Sequence, residues 1–199
     1  MSRRLFIFLV AAAAALLLVP AALAAVRVHV RVEGKTQTIF GAAEPSLSVQ
    51  ANALDALEAA SLAGEFYYHV TTTGFGPYVD QIGRYPAEGS SGWVFKVNGA
   101  SPPVGANVVV LKPGDRVLWY WATFGSSGGP PTLVLRNAKR ACYRVLAQDD
   151  AGKTRVARGA VLHVDGRSVR TRAGSACVGR HRGLVRATLA GAVRSNALA

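Results

Sequence analysis

One stretch, residues 90–124, restricts what this chain can fold into more than any other. It holds all three tryptophans. Within it Trp93, Phe95 and Val97 alternate with Val94, Lys96 and Asn98, the period of a strand with one buried face. Asn98-Gly99 ends that strand, because glycine adopts positive φ without steric cost. Ser101-Pro102-Pro103 cannot sit inside a ladder and reads as loop. Residues 107–111 are a further apolar run. Pro113-Gly114-Asp115 turns the chain into a last strand, residues 116–124. There Val117, Trp119 and Trp121 share one face, and Leu118, Tyr120 and Phe124 share the other. Each large aromatic buries ~150–250 Å², so the core of this half is expected here.

The residues before this stretch supply the rest of a sheet. Residues 26–33 alternate valine with polar side chains and read as a strand. Gly34-Lys35 turns it into an antiparallel partner, residues 36–40. Residues 49–62 change to helical spacing, with Ala53, Leu54, Leu57 and Ala60 on one face. Ser48 and Asn52 are both candidate N-caps, and Gly64 stands where a C′ glycine belongs. Strands follow at 66–73 and 78–82, joined by the bend Gly74-Phe75-Gly76-Pro77. Strand, hairpin, helix and further strands is the order by which a sheet lays one helix across its face. The expected class is α+β.

The motifs Gly92-Trp93-x-Phe95-x-Val97-Asn98-Gly99 and Gly114-Asp115-x-Val117-x-Trp119-x-Trp121 resemble the C-terminal domain of transcobalamin and intrinsic factor. More closely, they resemble the uncharacterised bacterial family related to that domain. The resemblance covers residues 26–124. It implies a β-grasp-like fold of the soluble-ligand-binding type, with a corrinoid (cobalamin) or another bulky small molecule as ligand. Residues 73–78 are similar to the segment before the last hairpin of the vitamin carriers, where an aromatic-glycine turn lies at the corrinoid site. Phe75, Gly76, Tyr78, Trp93 and Phe95 are therefore the candidate ligand-contacting residues. Phe95 also suits a core position, as does Trp119.

Residues 1–24 read as a secretory signal peptide: Arg3 and Arg4, an apolar run over 5–19, and the cleavage site Ala22-Leu23-Ala24. The alternative is an uncleaved anchor, although the run is short for a span of ~20 residues. No later segment is apolar enough to cross a bilayer. The expected product is secreted and extracytoplasmic, or associated with the cell surface.

Composition divides what remains. Residues 25–131 hold seven Lys/Arg and eight Asp/Glu, a net charge of −1; residues 132–199 hold fourteen and three, a net charge of +11. Residues 125–131, Gly-Ser-Ser-Gly-Gly-Pro-Pro, have linker chemistry. Two domains are expected, 25–124 and 132–199, with the linker transmitting little between them. The second shows short apolar or β-branched runs at 133–135, 143–148, 161–164, 168–171 and 184–188. Asp165-Gly166 is a type I′ hairpin signal. That pattern suggests an all-β antiparallel sandwich. The run Gly159-Ala160-x-x-x-Val164-Asp165-Gly166-Arg167, with residues 191–196, resembles an immunoglobulin-like or carboxypeptidase-regulatory-like bacterial repeat.

Cys142 and Cys177 are the only cysteines. In an exported chain they are expected to form a disulfide, which closing a loop of this size makes worth about 4 kcal/mol. No Cys or His spacing suits a metal. Of the four histidines, His29 and His69 read as surface residues, and His163 and His181 stand at no metal-binding spacing. No nucleophile, phosphate-loop or zincin pattern is present, so an enzyme is not expected. The arginine-rich half suits either a solvated surface or adhesion to acidic cell-envelope polymers. With Tyr143 its one aromatic, it lacks the stacking residues of a nucleic-acid reader. Two functions are left: a ligand-binding module, or a structural or adhesive surface module whose aromatics are all core.

Overall fold

The structure is a computed structural model describing residues 25–126 and 128–199. The expected signal peptide, residues 1–24, lies outside the described residues. β1 (Val26–Glu33) organises the first half. Its alternation buries Val28, Val30 and Val32 completely. On one side β2 (Thr38–Phe40) and β3 (Ser46–Val49) pair antiparallel with opposite ends of it. On the other side runs a parallel strand, Arg116–Thr123, with Val30 opposite Val117 and Val32 opposite Trp119.

α1 (Ala53–Gly64) packs on the valine face through Ala53, Ala56, Leu57 and Ala60. Of the two candidate caps, Asn52 acts. Its Oδ1 accepts from the N–H groups of Leu54 and Asp55 at 2.9 and 3.0 Å. The Asp55 carboxylate accepts in return from the Asn52 N–H at 3.0 Å, completing a capping box. The other end differs from expectation. Gly64 is still helical, and Glu65 takes the left-handed conformation, with φ of 50°. Gly64 is needed for room instead: a Cβ there would stand 2.6 Å from Cδ2 of Phe40, which packs on Phe66.

β4 (Tyr68–Thr73), β5 (Gly76–Ile82) and β6 (Tyr85–Pro86) form a separate antiparallel sheet. β7 (Ser91–Val97) then pairs antiparallel with Arg116–Thr123, which is β8. The main sheet therefore reads β2-β1-β8-β7, with β7 at its edge. The apolar run 107–111 makes no strand. Its neighbourhood straps the start of α1, with Leu111 N–H donating to Ala51 O at 2.7 Å and Leu54 N–H to Ala106 O at 3.3 Å. Backbone groups used there are not free for a ladder.

The second half contains two antiparallel sheets. One comprises β9 (Thr132–Lys139), β10 (Cys142–Gln148), β11 (Thr154–Val156) and the later strand Ser175–Cys177. The other comprises β12 (Val161–Val164), β13 (Arg167–Arg170) and Arg186–Thr188. In chain order the two remaining strands are β14 and β15. Leu133, Val145, Leu162 and Ala187 share one core between the sheets. Asp165 and Gly166, with φ of 48° and 72°, make the expected I′ turn between β12 and β13. Cys142 stands opposite Cys177 across β10 and β14, and the two are joined by a disulfide. Among the described residues the secondary structure is mostly strand, with α1 the single α-helix.

The halves are not independent, contrary to what the linker composition suggests. Gly125 and Gly128 exchange backbone hydrogen bonds of 3.1 Å, which folds the connection into a tight turn. The second face of both strands, mixed in β7 and apolar in β8, is covered: Val94, Leu118, Tyr120 and Ala122 pack against Val193 of the second half. Glu33 and Lys96, polar positions in the alternation, are both 0 % exposed. Glu33 receives Arg31, Arg186 and Arg194 at 3.3, 2.5 and 3.0 Å. Two of those arginines come from the second half. Periodicity reports that a face is polar, but not that another layer supplies partners for its charges.

Candidate ligand-binding cleft

The free edge of β7 opens into an aromatic cleft of about 330 Å³. β5 contributes Pro77, Tyr78 and Val79, β7 contributes Trp93, Val94 and Phe95, and β8 contributes Trp119 and Tyr120. Phe124, Leu54, Pro102 and Asp150 complete the wall. Trp93 and Trp119 form the floor at 2 % exposure each, whereas Tyr78 and Phe124 stand at the rim, 39 and 42 % exposed.

The rings are held by contacts at their far sides. Phe95 stacks on Trp119 with centroids 5.0 Å apart. Trp93 meets Trp121 edge to face at 5.7 Å. Each indole N–H of the floor has a partner: Trp93 donates to Tyr85 O at 2.8 Å, and Trp119 to Ala53 O at 3.2 Å. With these polar tips satisfied, the cleft presents mostly ring faces.

Strand parity adds polar groups. Asn98 N–H donates to Arg116 O and Phe124 N–H to Ser90 O, both at 2.9 Å. Even-numbered residues of β7 therefore bond to β8, and odd-numbered ones turn their N–H and C=O toward the free edge. Ser91 is closed by mutual bonds with Glu88, and Val97 by mutual bonds with Ala100. Between them, Trp93 and Phe95 point two backbone donors and two acceptors outward, unpaired among the described residues.

A single carboxylate comes from the second half. Asp150 Oδ1 lies 3.3 Å from Lys96 Nζ and accepts from Ser101 Oγ at 3.3 Å. Lys96 also donates to Asp149 O at 2.8 Å and to Thr132 Oγ1 at 3.3 Å, and its ammonium lies over the Tyr120 ring. Burial pushes the lysine pKa down, and Asp150 opposes the shift. Wholly enclosed and surrounded by acceptors, this amine ties the two halves together and offers no access to a nucleophile's substrate. Burial likewise pushes the Tyr120 phenol up, with Asp150 adding to it.

Tyr78, Trp93 and Phe95, three of the candidate contact residues, line the cleft together. Phe75 and Gly76 do not. Phe75 is fully exposed at the tip of the β4–β5 hairpin, and Gly76, with φ of 105°, serves that turn. Pro77 and Tyr78 reach the cleft from β5, but the tip of the hairpin, which pairs Thr73 with Gly76, does not line it. Trp119 is buried, as a core position of its strand should be, and also forms the cleft floor. Phe124 and Asp150 were missed. The alternation of β8 pointed to Phe124, but Asp150 becomes part of the site only through docking of the halves. Among the described residues, no group of three His, Cys, Asp or Glu could hold a metal ion.

Residues 50–123, from just before α1 to the end of β8, match the profile of a domain of unknown function (DUF4430). The match contains most of the cleft wall and omits β1, β2, β3 and the second half. No curated protein matches the chain. A crystal structure described as that of a candidate metal-binding protein from Ruminococcus gnavus is similar at 15 % identity, with a TM-score of 0.38. The similarity covers 48 % of this chain and 95 % of that one.

Proposed function

We propose that the chain is an exported, non-enzymatic ligand-binding module that holds one flat, mostly apolar small molecule in the aromatic cleft. The observation that carries this reading is the unpaired backbone of Trp93 and Phe95 set among aromatic faces. Apolar walls with a few convergent polar groups are what small-molecule sites provide. The β2-β1-β8-β7 order, its parallel central pair and the single helix support a β-grasp-like first domain of the vitamin-carrier type. The two sheets around one core support an immunoglobulin-like second domain. Export is supported by the disulfide and by residues 1–24. No helix of the described residues is long and apolar enough to cross a membrane.

A cleft of about 330 Å³ lies at the small end of ligand sites, ~300–1,000 Å³. A corrinoid would engage it by one edge, so corrinoid binding is expected to be weak. Tryptophan fluorescence titrated with a corrinoid, and with haem as a planar control, tests the reading. Binding should change the emission of the intact chain. Tyr78→Ala should weaken it at least tenfold with an unchanged Tm.

The second reading is a structural or adhesive module, favoured by the near-complete burial of Trp93 and Trp119. Native mass spectrometry of protein from its own exported fraction separates the two. A bound molecule appears as added mass. Bare protein, together with no fluorescence response to either compound, decides for the structural module.

A further inference from the structure

A second cleft, of about 440 Å³, lies between the halves on the opposite side of β8 from the apolar core. Arg31, Arg116 and Arg136 line it, together with Asn98, Asn137 and Glu44. Its chemistry is unlike that of the aromatic cleft, and the inference does not depend on that site.

The charges around it do not balance. Glu33 serves Arg31, Arg186 and Arg194. Glu44 serves Arg31, whose Nε is 3.2 Å from Oε1, and also pairs with Arg116. Two carboxylates thus face four guanidiniums, a surplus of two positive charges. Arg136, at the cleft wall, makes no ion pair or side-chain hydrogen bond among the described residues and adds a third. Arg31 is 3 % exposed, and its Nε, although near Glu44, lacks a hydrogen bond of acceptable geometry. Burial and the neighbouring Arg116 and Arg194 lower the Arg31 pKa, while Glu33 opposes them. Buried charge is costly unless paired, and guanidinium forks match the oxygens of carboxylate and phosphate.

We propose that this cleft binds a doubly charged oxyanion, a phosphate monoester or a dicarboxylate, held by Arg116 and Arg136 above the buried Arg31. Asn98 is committed to Asp115 and to the Arg116 N–H, so it positions Arg116 from behind. Asn137, which lines the cleft and makes no side-chain hydrogen bond among the described residues, would donate its amide to the ligand.

Calorimetric titration of the full chain with inorganic phosphate and with succinate, at constant ionic strength set by chloride, tests the proposal. Saturable one-to-one binding of at least one of them is expected, with a rise in Tm that chloride does not produce. Arg136→Gln should weaken binding at least tenfold. Because this side chain is exposed and unpaired, the ligand-free Tm should stay the same. Asn137→Ala should weaken it by a smaller factor. Arg158→Gln, which removes an exposed charge outside the cleft, should leave it unchanged. Binding of phosphate alone or succinate alone supports the site and fixes its preferred oxyanion. Non-saturating binding, or equal losses from Arg136→Gln and Arg158→Gln, would show only general attraction to a basic surface and overturn the proposal.

Discussion

Trp119 and Phe75 show how differently two aromatic residues of one domain are used. Trp119 stacks on Phe95, closes the start of α1 with its N–H and is 2 % exposed. Trp119→Ala should cost about 3–5 kcal/mol, the range for a large buried aromatic, as read from denaturant unfolding. Phe75→Ala removes a side chain in open solvent, and both Tm and cleft binding should match wild type. If Phe75→Ala instead weakened binding, the bend would have to reach a ligand beyond the cleft. Asp80 provides a pH test. A hydrogen bond from Thr71 at 2.5 Å, followed by the contact with His69 at 2.7 Å, holds its carboxyl below the usual range. Such a depressed pKa adds stability above the unfolded value, and that contribution is lost as pH falls through the folded one. Thr71→Val should return the Asp80 titration toward normal further than His69→Ala does, measured by carboxyl NMR. The reverse order would make the imidazole the main cause.

At the scale of elements, α1 depends on its first turn. Asn52→Ala breaks the capping box and should cost about 1 kcal/mol, detectable as a lower midpoint with an unchanged denaturant slope. Loss of much more would mean that the strap from Ala106 and Leu111 had been released as well. The elements that could be read in the sequence were those whose own period shows which face is buried. Val28, Val30 and Val32 mark β1, Trp93, Phe95 and Val97 mark β7, and Asp165-Gly166 marks its hairpin. β3 was missed because Ser46–Val49 has one strong apolar residue pair and no turn signal of its own. Residues 107–111 are apolar without forming a strand: Leu111, 3 % exposed, anchors the strap on α1, while Val108 and Val110 face solvent. The cleft was half legible. Its β7 rings announced themselves, but the openness of the β7 edge follows from sheet order, which local spacing does not encode.

Across the whole molecule the halves are expected to unfold together. Glu33 is completely enclosed among arginines from both halves, and Glu33→Gln leaves their charge uncompensated. Removing one partner of a buried pair costs about 3–5 kcal/mol. Calorimetry should show one transition in wild type and a broadened or split one in the variant. Two well-separated transitions in wild type would mean that the halves dock only loosely. Cys142→Ser, which opens a covalent tie between β10 and β14, should lower the stability of the first half as well as the second. The parallel pairing of β1 with β8 has a mechanical consequence. β1 enters the sheet at Val26, and β8 leaves it at Thr123, at the opposite end of the parallel pair. A load applied between residues 25 and 125 therefore pulls the two strands lengthwise past each other, and their hydrogen bonds must fail together rather than one at a time. A module stretched from those two points should yield abruptly and at high force, like cloth torn across its weave rather than a zip opened from one end. Optical-trap extension with handles at those residues would register that resistance as one sharp rupture.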